Sequence, residues 1–570
     1  MAGIFAGHFL FVKNHLIRLY IQPCLIFGRG SFFRHNMKFI ASKAFILISC
    51  ALFMLVGFLL IPVYKYQINP DGIAYLSIAR HYADGRWMNA LNSCWPPLYS
   101  WMIAPLLYFT DEPLWIAKMY NVLSGAGCLW ISLLLLRHYR VRPLLQLAAV
   151  VLFFGTYLMW AFGITTPDLL SVFIMLIYAY LVVTDKFLKY PLLTGLVGAI
   201  AYFTKSYCFF FFAAHLSFSY FLSAVSGKAR LTVLIRKYSM SIICFLLLSF
   251  SWMYVLSFKY DKITISSASA WTHGMIKYKN LDCIEQIIAP PHAQATFAWE
   301  DPPAVCPHKD WNIFGSLENV LLQATIFYRN SNWFVQLQKE TGFFHFAGFF
   351  LILFMTIFTR TSGRLRRKTI KEIINDPLFF IIPFTLIYTF GYLLIFIEPR
   401  YVWIGYVLIT IGFIASLDRF INEWQVNPRK IAGFLLVMMI VLLSTVLIRS
   451  QRMLVPLQKL TGSGNVTYKG FEFYKSSQAL KVQSPTDSRM ACIGGNRRIN
   501  RTQSWNLAYY AGWKHYGMLP DNAEIAEQLI NQYNIRILTV ADSDSLPGFL
   551  RARWERIYPG AGELRVYRKK

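Results

Sequence analysis

Charge is what this chain has least of. Only 15% of its 570 residues are Asp, Glu, Lys or Arg, and acidic residues number just 28. With 56% hydrophobic and 17% aromatic residues, that scarcity excludes an ordinary soluble protein and points to an integral membrane one. Nine cysteines occur without a CxxC pair or other metal-ligand spacing, so neither a zinc finger nor a redox pair is signalled. No nucleophile elbow or P-loop appears, and no internal repeat or low-complexity tract. No cleavable signal peptide is expected from the N-terminal stretch: residues 1–36 are basic and aromatic, with no small-residue cleavage site before Ala44. Met37 is an alternative start, in which case 1–36 is an over-extended reading frame.

The net charge of +28 would suggest nucleic acid in a soluble protein. In a membrane protein it is first a matter of topology, because Lys and Arg gather in short cytoplasmic loops, and no nucleic-acid partner is expected. Apolar runs near the length that crosses about 30 Å of hydrocarbon lie at 44–63, 113–136, 144–163, 168–184, 190–204, 206–225, 239–257, 342–359, 377–397, 401–417 and 431–448, eleven in all. With the N-terminus in the cytoplasm, the inside segments hold 24 Lys and Arg against five Asp and Glu. The two long outside loops, 64–112 and 258–341, hold ten against twelve. The bias predicts a multi-pass protein with a basic cytoplasmic segment 1–43, a membrane domain 44–448, and an outside region 449–570. That last region carries 19 Lys and Arg against nine Asp and Glu, which does not overturn the assignment, since large domains translocate largely regardless of charge.

In the first outside loop, residues 73–82 have the pattern of an amphipathic helix lying on the membrane. Pro96 and Pro97 end it and begin a second interfacial helix. Cys283 and Cys306 in the second outside loop are either a disulfide or two free thiols. The C-terminal region reads as small α/β: a strand at 490–493, a helix opened by Asp521-Asn522-Ala523-Glu524 and running to about Tyr533, a buried strand at 535–540, and an edge strand at 564–567.

The same topology places five ionisable residues, each near the end of an apolar run, at one face: Asp71, Asp168, Lys205, Glu398 and Arg400. Each alone has a plainer explanation. Asp71 in Asn-Pro-Asp-Gly suits a turn, Asp168 a helix start, Lys205 a snorkelling cation, and Glu398 with Arg400 a local ion pair. Together they suit an anionic substrate. A lipid-linked sugar phosphate needs charge stabilisation of its leaving phosphate, which Lys205 and Arg400 offer. The attacking acceptor must lose a proton, and Asp71 is the candidate base.

These residues also carry a resemblance. Asp71-Gly72-Ile73-Ala74-Tyr75 with Ala79 and Gly85, Pro97-Leu98-Tyr99, Pro167-Asp168, Thr204-Lys205 and Glu398-Pro399-Arg400-Tyr401 resemble, in order and topology, the GT-C class of multi-span glycosyltransferases. The branch resembled contains the lipid A aminoarabinose transferase and the protein O-mannosyltransferases. The likeness spans roughly residues 38–570, chiefly as organisation. It implies a polyprenyl-phosphate-linked sugar as donor and a lipid, glycan or protein as acceptor. Transfer would take place on the outer side of a bacterial inner membrane, with inversion and with Asp71 as base. Lys205 and Arg400 would hold the donor phosphate, while Tyr75, Tyr99, Asp168, Glu398 and Tyr401 would line the substrate cavity. Many such enzymes have a second acidic residue beside the first-loop Asp, where this chain has Gly72. That argues against metal assistance through an acidic pair, so no cofactor and no metal ligand are expected, a divalent ion being left open. A transporter or flippase of lipid-linked glycans, or a glycan polymerase, is the alternative. The first would show inverted repeats, and the second arginine-rich outside loops without the first-loop Asp.

Overall fold

The computed structural model describes residues 39–425 and 470–570, apart from positions 41, 279–285, 307–311, 341–342, 362, 495–496, 542 and 562. Among the described residues, six helices are long and apolar enough to cross a membrane: Lys43–Tyr64, Pro113–His138, Pro143–Gly163, Cys208–Val225, Leu231–Tyr260 and the Pro399–Trp424 segment. The protein is an integral membrane protein. Several helices begin at a proline, among them Pro70, Pro113, Pro143 and Pro191, where the missing N–H costs nothing and the fixed φ suits the first turn. Phe53, Leu129, Tyr157, Leu176 and Leu408 are buried in one large apolar core between the helices. Leu247 and Phe250 on Leu231–Tyr260 stay exposed, as residues facing lipid do.

Ten of the eleven expected spans coincide with helices, and the eleventh, 431–448, lies outside the described residues. Four of the ten are short, one of them being Phe344–Ile357 with 14 residues. The other three, Asp168–Val183, Pro191–Thr204 and Ile381–Ile395, have 16, 14 and 15 residues, which is about 21–24 Å of helix against about 30 Å of hydrocarbon. Each of the three has one end at the ionisable residues singled out from the sequence: Asp168 starts the first, Lys205 caps the second, and Glu398 lies three residues beyond the third.

The first outside loop forms Pro70–Ala83, Leu98–Ile103 and a 3₁₀ turn at Ala104–Tyr108. Pro70–Ala83 does not lie on the membrane with one face in lipid. It is buried on most sides, from Gly72 through Leu76 and again at Ile78, Ala79, His81 and Tyr82. Second-loop residues (Phe297, Trp299) and Trp505 and Tyr509 of the C-terminal region cover it. The amphipathic pattern therefore reflects protein on the polar face, with the polar positions engaged in specific bonds.

The C-terminal region holds a five-stranded sheet, in the order Lys514–Met518, Arg489–Cys492, Ile537–Ala541, Leu564–Lys569, Trp554–Ala561. Leu564–Lys569 is thus internal, pairing antiparallel with Ile537–Ala541 on one side and Trp554–Ala561 on the other. The expected edge strand is corrected. Trp554–Ala561 gave no period-two signal and so was not foreseen as its outer neighbour. The expected helix is Ala523–Gln532, which stands beside Phe471–Gln483 and Arg497–Ala511 in this region; it is capped by Asn522, whose side chain accepts from the Ile525 N–H, and not by Asp521 as the Asp-x-x-Glu spacing suggested. Cys306 is disulfide-bonded. The other expected member of the pair, Cys283, lies outside the described residues.

Candidate active site

Two stretches far apart in sequence are zipped together first. The Asn69 side chain accepts the Thr165 N–H at 2.9 Å, the Thr165 hydroxyl donates to the Gln67 carbonyl at 3.1 Å, and the Gln67 amide donates to the Gly163 carbonyl at 3.0 Å. Asn69-Pro70-Asp71-Gly72 is consequently a helix start and not a free turn, with Pro70 in the first position. The zipper sets Asp71, in the first turn of Pro70–Ala83, near Asp168, the first residue of Asp168–Val183. Both carboxylates meet the positive end of a helix dipole, and Lys205, at the C-cap of Pro191–Thr204, meets a negative one.

Arg400 joins the group. Its guanidinium donates through Nη2 to Asp71 Oδ2 at 2.7 Å, through Nε to Glu398 Oε2 at 2.7 Å, and through Nη1 to Asp168 Oδ2 at 3.4 Å. Lys205 donates to Asp168 Oδ1, and Thr166 donates to Oδ2 at 2.6 Å. The Lys205 ammonium also lies 4.0 Å from the Tyr401 ring centroid, a cation–π contact, with Arg400 at 5.2 Å from the same ring. Asp168 is nearly buried at 5% exposure, while Asp71, Lys205 and Arg400 keep 15–19% and Glu398 keeps 35%. The cluster is therefore reachable and mostly desolvated, which strengthens its electrostatics.

Six of the eight expected residues are brought together: Asp71, Asp168, Lys205, Glu398, Arg400 and Tyr401. Tyr75 and Tyr99 lie in the packing behind Asp71. Tyr75 meets the rings of Trp95 and Tyr99 edge-on at 5.4 and 5.7 Å, and the Tyr99 hydroxyl donates to the Ala117 carbonyl and to Asn121 Oδ1, both at 3.1 Å.

One member was not foreseen. Trp299, on the 3₁₀ turn Ala298–Glu300 of the second outside loop, donates its indole N–H to Asp71 Oδ1 at 3.0 Å. Both Asp71 oxygens are thus held, one by a cation and one by a neutral donor. Its rings adjoin Trp271, Trp95 and Trp505 at 5.2, 5.8 and 6.1 Å between centroids. A lone tryptophan in a proline-rich loop gives no sequence signal of such a contact.

Gly72 has a steric reason. A Cβ there would stand 2.5 Å from the Thr165 carbonyl oxygen and 2.9 Å from Thr165 Cβ. The zipper that assembles the site leaves no room for a second acidic side chain beside Asp71. What the arrangement offers is a single loop carboxylate, a second carboxylate held by two cations, and those cations at the ends of membrane helices.

No protein-family profile and no curated protein sequence matches the chain. Among solved structures, ArnT from Cupriavidus metallidurans bound to undecaprenyl phosphate is similar, with a TM-score of 0.52 at 13% identity, over 92% of this chain and 98% of that one. The apo form of the same protein aligns with a TM-score of 0.51 at 14% identity over the same shares. The chain therefore has a GT-C-like fold along nearly its whole length, as the motif resemblance implied.

Proposed function

We propose that the protein is a membrane glycosyltransferase that takes a sugar from a polyprenyl-phosphate donor and passes it to a lipid, glycan or protein acceptor on the extracytoplasmic side. The observation that carries this reading is the bridge from Arg400 to both Asp71 and Asp168, with Lys205 on Asp168, at the ends of three shortened membrane helices. A donor whose isoprenoid lies in the membrane and whose phosphate lies at its face needs cations at that depth. A neighbour of the same fold holds a polyprenyl phosphate, the same class of ligand. The disulfide at Cys306 and the charge asymmetry between loops support an oxidising, extracytoplasmic side for the second loop.

The cluster also suggests how donor binding prepares the base. Three carboxylates face two cations, so without ligand the cations are already compensated. A phosphate reaching Arg400 competes with Asp71 for the guanidinium, and bidentate phosphate contact is what that fork favours. Once Arg400 turns to phosphate, Asp71 is held by Trp299 through Oδ1 alone, and Oδ2 is open to the acceptor's proton. The acceptor then attacks the anomeric carbon from the side opposite the phosphate, the sugar–phosphate bond breaks with its electron pair going to the phosphate, and configuration inverts.

The test uses membranes containing the full chain and a labelled polyprenyl-phosphate sugar. Asp71→Asn, at normal protein level, is expected to lose transfer by roughly 10²–10⁴-fold, the usual worth of general-base catalysis. Unchanged transfer would remove Asp71 from the role. Lys205→Ala and Arg400→Ala are expected to raise the donor concentration needed for half-saturation, and unaltered donor saturation would count against phosphate binding at these cations.

A further inference from the structure

We infer that His81, His292 and Glu300 form a binding site for a divalent transition-metal ion of zinc type, which pins the second outside loop to the helix that carries Asp71. His81 is in the last turn of Pro70–Ala83, and Glu300 ends the 3₁₀ turn that begins at Ala298. One ligand atom from each of the three lies within 4.8 Å of the others. His81 Nε2, His292 Nδ1 and Glu300 Oε2 are all buried atoms without a hydrogen-bond partner. Buried polar atoms are rarely left so, because each gives up its water and gains nothing. Three of them converging on one point, from residues of which His81 and Glu300 are only 2% exposed, is the signature of a missing common partner.

The donor set narrows the partner. Two imidazoles and one carboxylate suit zinc, with a water or substrate oxygen in the fourth position. A tetrahedral ion holds such ligands about 3.3 Å apart, which small side-chain rotations reach. Glu300 is already oriented for this: Oε1 accepts from the Ser77 hydroxyl at 3.0 Å and from the Thr296 N–H at 2.7 Å, leaving Oε2 aimed at His81 Nε2, 3.9 Å away. Those two donors are the outer support a metal-binding carboxylate ordinarily has. Arg86 Nε donates to His81 Nδ1 at 3.3 Å. With an ion on Nε2 the ring proton sits on Nδ1, and Arg86 stays with Asp84, which it already contacts. The competing occupant is a proton, giving a plain His81–Glu300 ion pair.

The ligands stand at 81, 292 and 300, too far apart for any spacing rule, so the sequence pointed to no metal here. The ion would act on position: Glu300 directly follows Trp299, and anchoring the one holds the other's N–H on Asp71. The inference stands apart from the proposed transfer reaction, because its readout is metal content.

The experiment takes the full chain in detergent, strips it with a chelator, adds zinc chloride alone, and measures retained zinc after gel filtration together with the melting temperature. The expected result is one zinc per chain and a higher melting temperature. His81→Ala, Glu300→Gln and His292→Asn should each reduce retained zinc to background and abolish the shift. Ser77→Ala should weaken zinc binding about tenfold, and His138→Asn, exposed and elsewhere, should change nothing. If His81→Ala or Glu300→Gln fails to fold, the half-buried His292→Asn still decides. Wild type that retains no more zinc than His292→Asn, or Glu300→Gln that retains as much as wild type, overturns the site and leaves the ion pair.

Discussion

Arg400 spends its whole guanidinium on three carboxylates, and the last contact of the group, Trp299 on Asp71, sets how the base is aimed. Asp71, Asp168, Lys205, Glu398 and Arg400 were legible one by one because an ionisable residue at the end of an apolar run is costly and therefore conspicuous. Their pairing was not, since it depends on the Asn69–Thr165 zipper and on a guanidinium 329 positions from Asp71. Trp299 gave no signal at all: a tryptophan in a loop looks the same whether its N–H meets solvent or a carboxylate 228 residues away. Trp299→Phe separates its two contributions. The ring contacts with Trp271 and Trp505 survive in kind, while the hydrogen bond to a charged acceptor, about 1.5–3 kcal/mol, is lost. The expected outcome is a fall in turnover of roughly tenfold or more, with donor saturation and melting temperature little changed. A drop in stability with turnover intact would make Trp299 a packing residue only.

At the scale of elements, ten of the eleven expected spans coincide with helices, because a run of apolar residues has few alternatives in a chain this poor in charge. Their lengths were less legible. Three of the short helices, Asp168–Val183, Pro191–Thr204 and Ile381–Ile395, each bring one end to the polar cluster, which the sequence pattern alone does not show. In the C-terminal region the pattern gave the strands near 490–493, 535–540 and 564–567 and one helix; it missed Lys514–Met518, Trp554–Ala561, Phe471–Gln483 and Arg497–Ala511 and misjudged two details of what it found. Leu564–Lys569 looked like an edge because its alternation is polar on one side, yet both neighbours pair with it. The helix cap was assigned by spacing to Asp521, whereas the backbone turns one residue later and gives Asn522 the extended conformation and the Ile525 N–H. Asn522→Ala is therefore expected to destabilise this region by about 1 kcal/mol, while Asp521→Ala, on an exposed residue ahead of the cap, should stay within about 0.5 kcal/mol of wild type. Comparing the two melting temperatures in detergent checks the assignment; equal effects would contradict it.

At the scale of the whole molecule, the C-terminal sheet acts on the site through the second outside loop. Its edge strand Lys514–Met518 would be left with open backbone groups, and the loop covers them: the Ile288 N–H donates to the Tyr516 carbonyl at 2.7 Å, and the His515 N–H donates to the Thr296 carbonyl at 2.7 Å. The same loop segment runs on to Phe297, stacked on Trp505 at 5.0 Å, then to Trp299 and Glu300. None of this could be read from the sequence, because Lys-His-Tyr-Gly-Met has no strand signature and its partner is an irregular loop. Gly517 is where the docking is tightest. It has φ +108°, and a Cβ there would stand 2.1 Å from the Gln286 carbonyl oxygen. Gly512, with φ +71° and only Thr486 Cγ2 within reach at 4.0 Å, shares the backbone demand without the close approach. Gly512→Ala should thus cost only the left-handed penalty, about 1–2 kcal/mol. Gly517→Ala should add the cost of forcing apart two backbones, about 1–3 kcal/mol more, and the least costly relief is for the loop to leave the sheet edge. The expected outcome is that Gly517→Ala exposes the segment around residues 286–300 to protease and lowers sugar transfer well beyond its effect on melting temperature. Gly512→Ala should lower stability alone. If both variants behave alike, the sheet does not hold the loop on the site, and the coupling of the C-terminal region to Asp71 through Trp299 is wrong.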